Sequence, residues 1–103
     1  MGWHTLEDTP SPIFRWQARL SAASPTPGMV SLHPVHDATL HAEGEFGGAT
    51  LEIHGSNSGT GPIPLAHLDA PDLIDLKATL WLGALVTGAT DETDILLTVA
   101  GRR

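Results

Sequence analysis

The chain has no cysteine and no tyrosine among its 103 residues, and only five aromatic side chains, two Phe and three Trp. Without Cys there is no disulfide staple, no thiolate zinc site and no Cys nucleophile. Basic residues are scarce as well: five Lys and Arg face 12 Asp and Glu, for a formal charge of −7. That balance argues against general binding to a phosphate backbone, and for a self-repelling surface. Long hydrophobic runs are also missing. The longest, Leu80 to Val86, is interrupted by Gly83 and falls far short of the roughly 20 residues that span a bilayer. Met1-Gly2-Trp3-His4 shows no basic stretch leading into an apolar run, and Leu6 stands where a myristoylation start needs Ser or Thr. The expectation is a soluble, unprocessed protein of one domain with a modest core, binding neither nucleic acid nor membrane.

The charge that is present is segregated. No Lys or Arg lies between Leu20 and Leu76, whereas Asp37, Glu43, Glu45, Glu52, Asp69, Asp72 and Asp75 do. Arg15, Arg19, Lys77, Arg102 and Arg103 flank this acidic middle. Solvated surface explains such a pattern, and so does an acidic face with basic ends that meet an acidic partner.

Periodicity points to strands. Thr9-Pro10-Ser11-Pro12 makes residues 1–12 an extended arm. From Ile13 to Leu20 the side chains alternate, with Phe14, Trp16, Ala18 and Leu20 on one face and Arg15, Gln17 and Arg19 on the other. His36 to Phe46 and Ala49 to Gly55 alternate too, separated by Gly47-Gly48, which predicts a β-hairpin. Asp69 to Val86 admits two readings: a helical opening at Asp69-Ala70-Pro71-Asp72, or alternation from Leu76 to Thr87. The longer alternation favours a strand from 76 to 87 with at most a helical turn before it. A last strand runs from Asp94 to Ala100. Five to seven short strands predict an all-β fold, a small antiparallel β-sandwich or barrel of jelly-roll type. The arm covers 1–12 and a single β-sandwich domain 13–103.

Candidate chemistry is thin. Of the six histidines, His33 and His36 have i,i+3 spacing, and His41 and His54 become cross-strand neighbours if the hairpin forms, but a metal site needs three or more converging ligands. Glu43, Glu45 and Glu52 point outward on the predicted hairpin, toward water rather than a cleft. Nucleophile elbow, P-loop and dinucleotide fingerprints are lacking. The expectation is a non-enzyme without catalytic, cofactor or metal residues. Both faces of Leu80 to Val86 are apolar, with Trp81 and Leu85 opposite Leu82 and Ala84, and Leu96 and Ala100 likewise back Leu97 and Val99. A domain this small has little interior for strands covered on both sides, so the arm or another subunit is expected over them. An outward Trp81 also allows a sugar-stacking platform.

The run from Asp37 to Gly59 contains Gly44-Glu45-Phe46-Gly47-Gly48-Ala49-Thr50 and Gly55-Ser56-Asn57-Ser58-Gly59. It resembles a segment of small structural proteins of tailed bacteriophages, in which the two motifs bracket a strand and an outgoing and a closing strand follow, here placed at 78–88 and 94–103. The family's Asn-Asp/Asn-Gly turn carries a following Trp that is absent after Gly59, and the first 36 residues lie outside the resemblance. The resemblance implies a virion protein, expected to be a capsid decoration or cement protein. Its partner is then the major capsid protein, bound as a homo-oligomer, dimer or trimer, on the outside of the head. Neck or tail placement and a carbohydrate-binding sandwich are the alternatives. Candidate interface residues are Trp3, Phe14, Arg15, Trp16, Arg19, Trp81, Leu85, Arg102 and Arg103.

Overall fold

A computed structural model describes residues 2–6, 13–33 and 35–102. The described residues form nine strands and no helix: β1 (His4–Thr5), β2 (Ile13–Ser21), β3 (Met29–Ser31), β4 (Asp37–Glu45), β5 (Thr50–Ser56), β6 (Ile63–Leu68), β7 (Asp72–Leu76), β8 (Trp81–Thr87) and β9 (Asp94–Arg102). They build two antiparallel sheets, ordered β1-β2-β9-β4-β7 and β3-β8-β5-β6. From β2 onward every connection except β5 to β6 passes from one sheet to the other. With β2-β9-β4-β7 lying over β3-β8-β5-β6, this is the strand order of an eight-stranded jelly roll.

The period of two decides which side chains fill the space between the sheets. Trp16, Ala18 and Leu20 of β2, Leu40 and Ala42 of β4, and Ile95, Leu97 and Val99 of β9 point inward from one sheet; Leu51, Ile53, Leu82, Ala84 and Val86 point inward from the other. All are buried. Burying each of the larger ones contributes roughly 1.5–3 kcal/mol. Phe14 stacks on Trp16 with ring centroids 6.1 Å apart and planes 19° from parallel, extending the core toward one end of β2.

The alternation forecast for 13–20 and 94–100 matches β2 and β9. The predicted hairpin does not form. β4 and β5 belong to different sheets and share no ladder: β4 pairs with β9 and β7, and β5 with β8 and β6. Between them the chain arches over the end of the core. Phe46 turns inward, the Ala49 N–H donates to the Phe46 carbonyl at 2.9 Å, and Gly47 and Gly48 take φ of 57° and 85°. Gly47 has a second constraint, because a β-carbon there would lie 2.8 Å from Thr90 Oγ1. His41 and His54, expected side by side, therefore stand on opposite outer faces of the sandwich, as do Glu43 and Glu52.

Two further expectations are corrected. The strand read from 76 to 87 is two strands in different sheets, β7 and β8, joined by a crossing at 77–80. The helical turn at 69–72 is absent, and β7 begins at Asp72. The count of five to seven strands is too low, because β1, β3 and β6 carry little alternation. β6 is hidden by Pro62 and Pro64 and by a bulge that breaks its register opposite Ile53 and His54. Of the arm, the described part lies along the domain's own sheet. His4 and Thr5 pair with Gln17 and Trp16, and the Trp3 indole N–H donates to the Gly28 carbonyl at 3.0 Å. Residues 7–12 lie outside the described residues.

Candidate interaction surfaces

With the inner faces consumed by the core, chemistry is confined to two outer sheet faces and the turns. The outer face of β3-β8-β5-β6 is the more apolar. Ser31, Trp81 and Ser56 share one row, Met29, Gly83 and His54 the next, and Leu85 and Glu52 the third. Met29, Trp81 and Leu85 are half-buried there, with no third layer over them among the described residues. Trp81 thus faces away from Leu82, as its place in the alternation predicts. Its indole is not an open platform, since the 57–62 turn leans on it: a β-carbon on Gly59 would sit 3.4 Å from Trp81 Nε1.

That turn is built by the Gly-Ser-Asn-x-Gly motif. Ser56, buried at the end of β5, accepts hydrogen bonds at its Oγ from the Ser58 N–H at 3.2 Å and the Gly59 N–H at 3.1 Å, and donates to the Thr60 carbonyl at 2.6 Å. Asn57 Oδ1 accepts from the Leu80 N–H at 2.9 Å and so ties the turn to the 77–80 crossing. Gly55 leaves room for Thr79 and Leu65, with which a β-carbon would collide. At the other end Thr93, buried, donates from Oγ1 to the Phe46 carbonyl at 2.9 Å, and Thr90 Oγ1 donates to the Gly47 carbonyl at 3.1 Å. The 37–59 run thus takes part in closing both ends of the sandwich, through Ser56 and Asn57 at one end and through the Phe46 and Gly47 carbonyls, held by Thr93 and Thr90, at the other.

The outer face of the other sheet is polar. Arg15, Gln17 and Arg19 line β2; Leu96, Thr98 and Ala100 of β9 are half-buried; Thr39, His41, Glu43 and Glu45 line β4. Arg19 Nη1 bridges both carboxylate oxygens of Asp94, at 2.8 and 3.0 Å, and the pair is well exposed. Gln17 donates from Nε2 to Thr98 Oγ1 at 3.1 Å. His41 Nδ1 lies 3.6 Å from Glu43, and on the opposite face His67 Nε2 lies 3.9 Å from Glu52. Among the described residues no three His, Asp or Glu side chains are placed to hold a metal ion.

The nine candidate residues do not form one patch. Trp16 is a core residue and Phe14 packs on it; Trp3 closes the edge beside Gly28; Arg15, Arg19 and Arg102 share the polar outer face; Trp81 and Leu85 lie on the opposite one. Arg103 lies outside the described residues. No protein-family model matches the chain, and no curated protein or solved structure does either. The fold and its surfaces therefore carry the functional reading. Sequence reasoning missed the concave end of the polar face, a groove whose lining includes Asp37, Asp75 and Arg102. The signal was present in the alternation of β4 and β9, but it depended on knowing that those two strands pair.

Proposed function

We propose that this chain is a structural protein of a tailed-bacteriophage virion, a capsid decoration protein that sits on the head shell and stabilises it. The observation that carries the reading is the 37–59 run, whose resemblance to small phage proteins falls on a segment that takes part in closing this sandwich. A jelly roll suits the task, being an architecture used in viral capsid domains, although fold alone does not specify function. The partner is the major capsid protein, and the contact uses the apolar outer face with Met29, Trp81 and Leu85, since a half-buried aromatic with aliphatic neighbours is the usual centre of an interface.

The test is cosedimentation of the purified chain with heads assembled from a tailed-phage major capsid protein. Saturable binding over the whole shell is the expected result. Trp81→Ala together with Leu85→Ala is expected to weaken it by about 30-fold, the loss that removal of a hot spot of about 2 kcal/mol produces. Absence of binding, or binding confined to the portal vertex, overturns the decoration reading.

A further inference from the structure

Four strands end the two sheets, β1 and β7 in one, β3 and β6 in the other. An exposed edge is a template for another strand unless something blunts it. β1 is two residues long and β3 three, and β6 carries Pro64 and a bulge. β7 runs Asp72-Leu73-Ile74-Asp75-Leu76 in unbroken register with β4 and has no proline. Its backbone groups alternate between β4 and the open side. Those of Leu73 and Asp75 point off the edge, where the Leu73 N–H is taken up by Asp72 Oδ1 at 2.8 Å. Among the described residues no strand meets them on that side.

The flank that β7 makes with β6 is apolar as well as open. Ile63 of β6 is 64% exposed and Leu73 of β7 65%; among the described residues Leu80 is the one other large apolar side chain so exposed. The flank is also acidic. Asp69, Asp72 and Asp75 fall within 69–75, and the first base, Lys77, comes after the strand. Among the described residues Asp75 has no polar partner, and Asp72 has only the neighbouring Leu73 N–H.

We infer that the β7 edge binds an extended basic segment of a partner protein, which adds a sixth strand to this sheet. An antiparallel guest pairs with the outward N–H and C=O groups of Leu73 and Asp75. Its carbonyl replaces the Asp72 carboxylate on the Leu73 N–H. Side-chain parity then sets the guest's sequence. A Lys or Arg opposite Asp75 and an apolar residue opposite Leu73 share the outer face. The residue between them, opposite Ile74, turns toward β6 and is apolar. The next, opposite Asp72, is a second Lys or Arg that meets the released carboxylate. The guest thus reads base, apolar, apolar, base. A second copy of this chain does not fit, because β7 has no base of its own. Any two-fold antiparallel register centred on a residue from 72 to 75 sets a carboxylate of one copy opposite or diagonal to the same carboxylate of the other. The inference goes beyond the virion reading and does not rest on it; the contact face of that reading belongs to the other sheet.

NMR titration of the isotope-labelled full chain with the capped peptide acetyl-Thr-Arg-Val-Val-Arg-Thr-amide tests it. The Leu73 and Asp75 amide signals are expected to shift with saturation and to exchange more slowly with solvent. Added salt weakens the binding. Asp75→Lys weakens it about ten-fold, since an attractive cross-strand pair becomes a repulsive one. The same peptide N-methylated at its second Val, which lies opposite Leu73, keeps its charge but cannot donate to the Leu73 carbonyl, and does not bind. Should Asp75→Lys unfold the chain by circular dichroism, Asp75→Asn is read instead and weakens binding about three-fold. No shift at about 1 mM peptide, shifts centred on another surface, equal binding of the N-methylated peptide, or indifference to the Asp75 substitutions overturns the inference. Concentration-dependent broadening of the Leu73 and Asp75 signals without peptide means that a second copy covers the edge, and overturns it too. Asp75→Lys is expected to bind heads as the wild type does, so the two readings fail separately.

Discussion

Replacing Ser56 by Ala deletes one hydroxyl on which the 57–62 turn converges. In the folded chain that oxygen takes two backbone N–H donors and gives one hydrogen bond of 2.6 Å, from a position only 6% exposed. A net value of about 0.5–1.5 kcal/mol per hydrogen bond puts the three together near 3 kcal/mol. The groups left behind, at Ser58, Gly59 and Thr60, are exposed and can turn to water, which lowers the expected loss to about 2 kcal/mol. For a chain of this length the unfolding entropy is about 0.2 kcal/mol/K, so the midpoint should fall by about 9 °C. Thermal unfolding followed by far-UV circular dichroism, with urea titration as a second measure, reads the shift. Ser58→Ala, whose hydroxyl is exposed, is the comparison and should cost less than half as much. A drop under about 2 °C for Ser56→Ala would refute the claim that the motif serves as a clasp.

Two other outcomes follow from the same physics. Leu97→Ala, in the middle of β9 and fully buried, leaves a cavity between the sheets and should cost roughly 2–5 kcal/mol by urea denaturation. Arg19→Ala removes an ion pair whose two side chains are 61% and 57% exposed, and should cost less than about 1 kcal/mol, a difference that vanishes in 1 M salt.

Alternation identified β2, β4, β5 and β9 from the sequence, because each of these strands turns one face to the core and the other outward. It could not distinguish a hairpin from an arch. In both, two alternating runs flank a glycine turn; the difference is whether Phe46 points along the sheet or down into the space between sheets, and that depends on Thr90 and Thr93, more than 40 residues away. The same blindness merged β7 with β8. Leu76, Ala78, Leu80 and Leu82 keep a period of two across a crossing where the chain leaves one sheet for the other, and Leu80, 41% exposed, has no place in either core. The outward Trp81 and the half-buried Leu85 and Leu96 were legible because both faces of their strands are apolar. The groove charged by Asp37, Asp75 and Arg102 was not, since strands distant in sequence bring those residues together.

The place of β9 bears on how the chain acquires its shape. It lies between β2 and β4, the inner neighbour of both, yet it is the last strand in the sequence. Until residues 94–102 have been synthesised, neither strand has that partner, and each presents a row of Trp, Leu or Ala to water. Pairing of the first long strand with the last is a slow, non-local event. During that interval the polar outer face and its segregated charges are what keep the open strands from joining those of another chain. An extension that delays or obstructs β9 should thus be felt first in the yield of soluble protein, well before any effect on the finished fold.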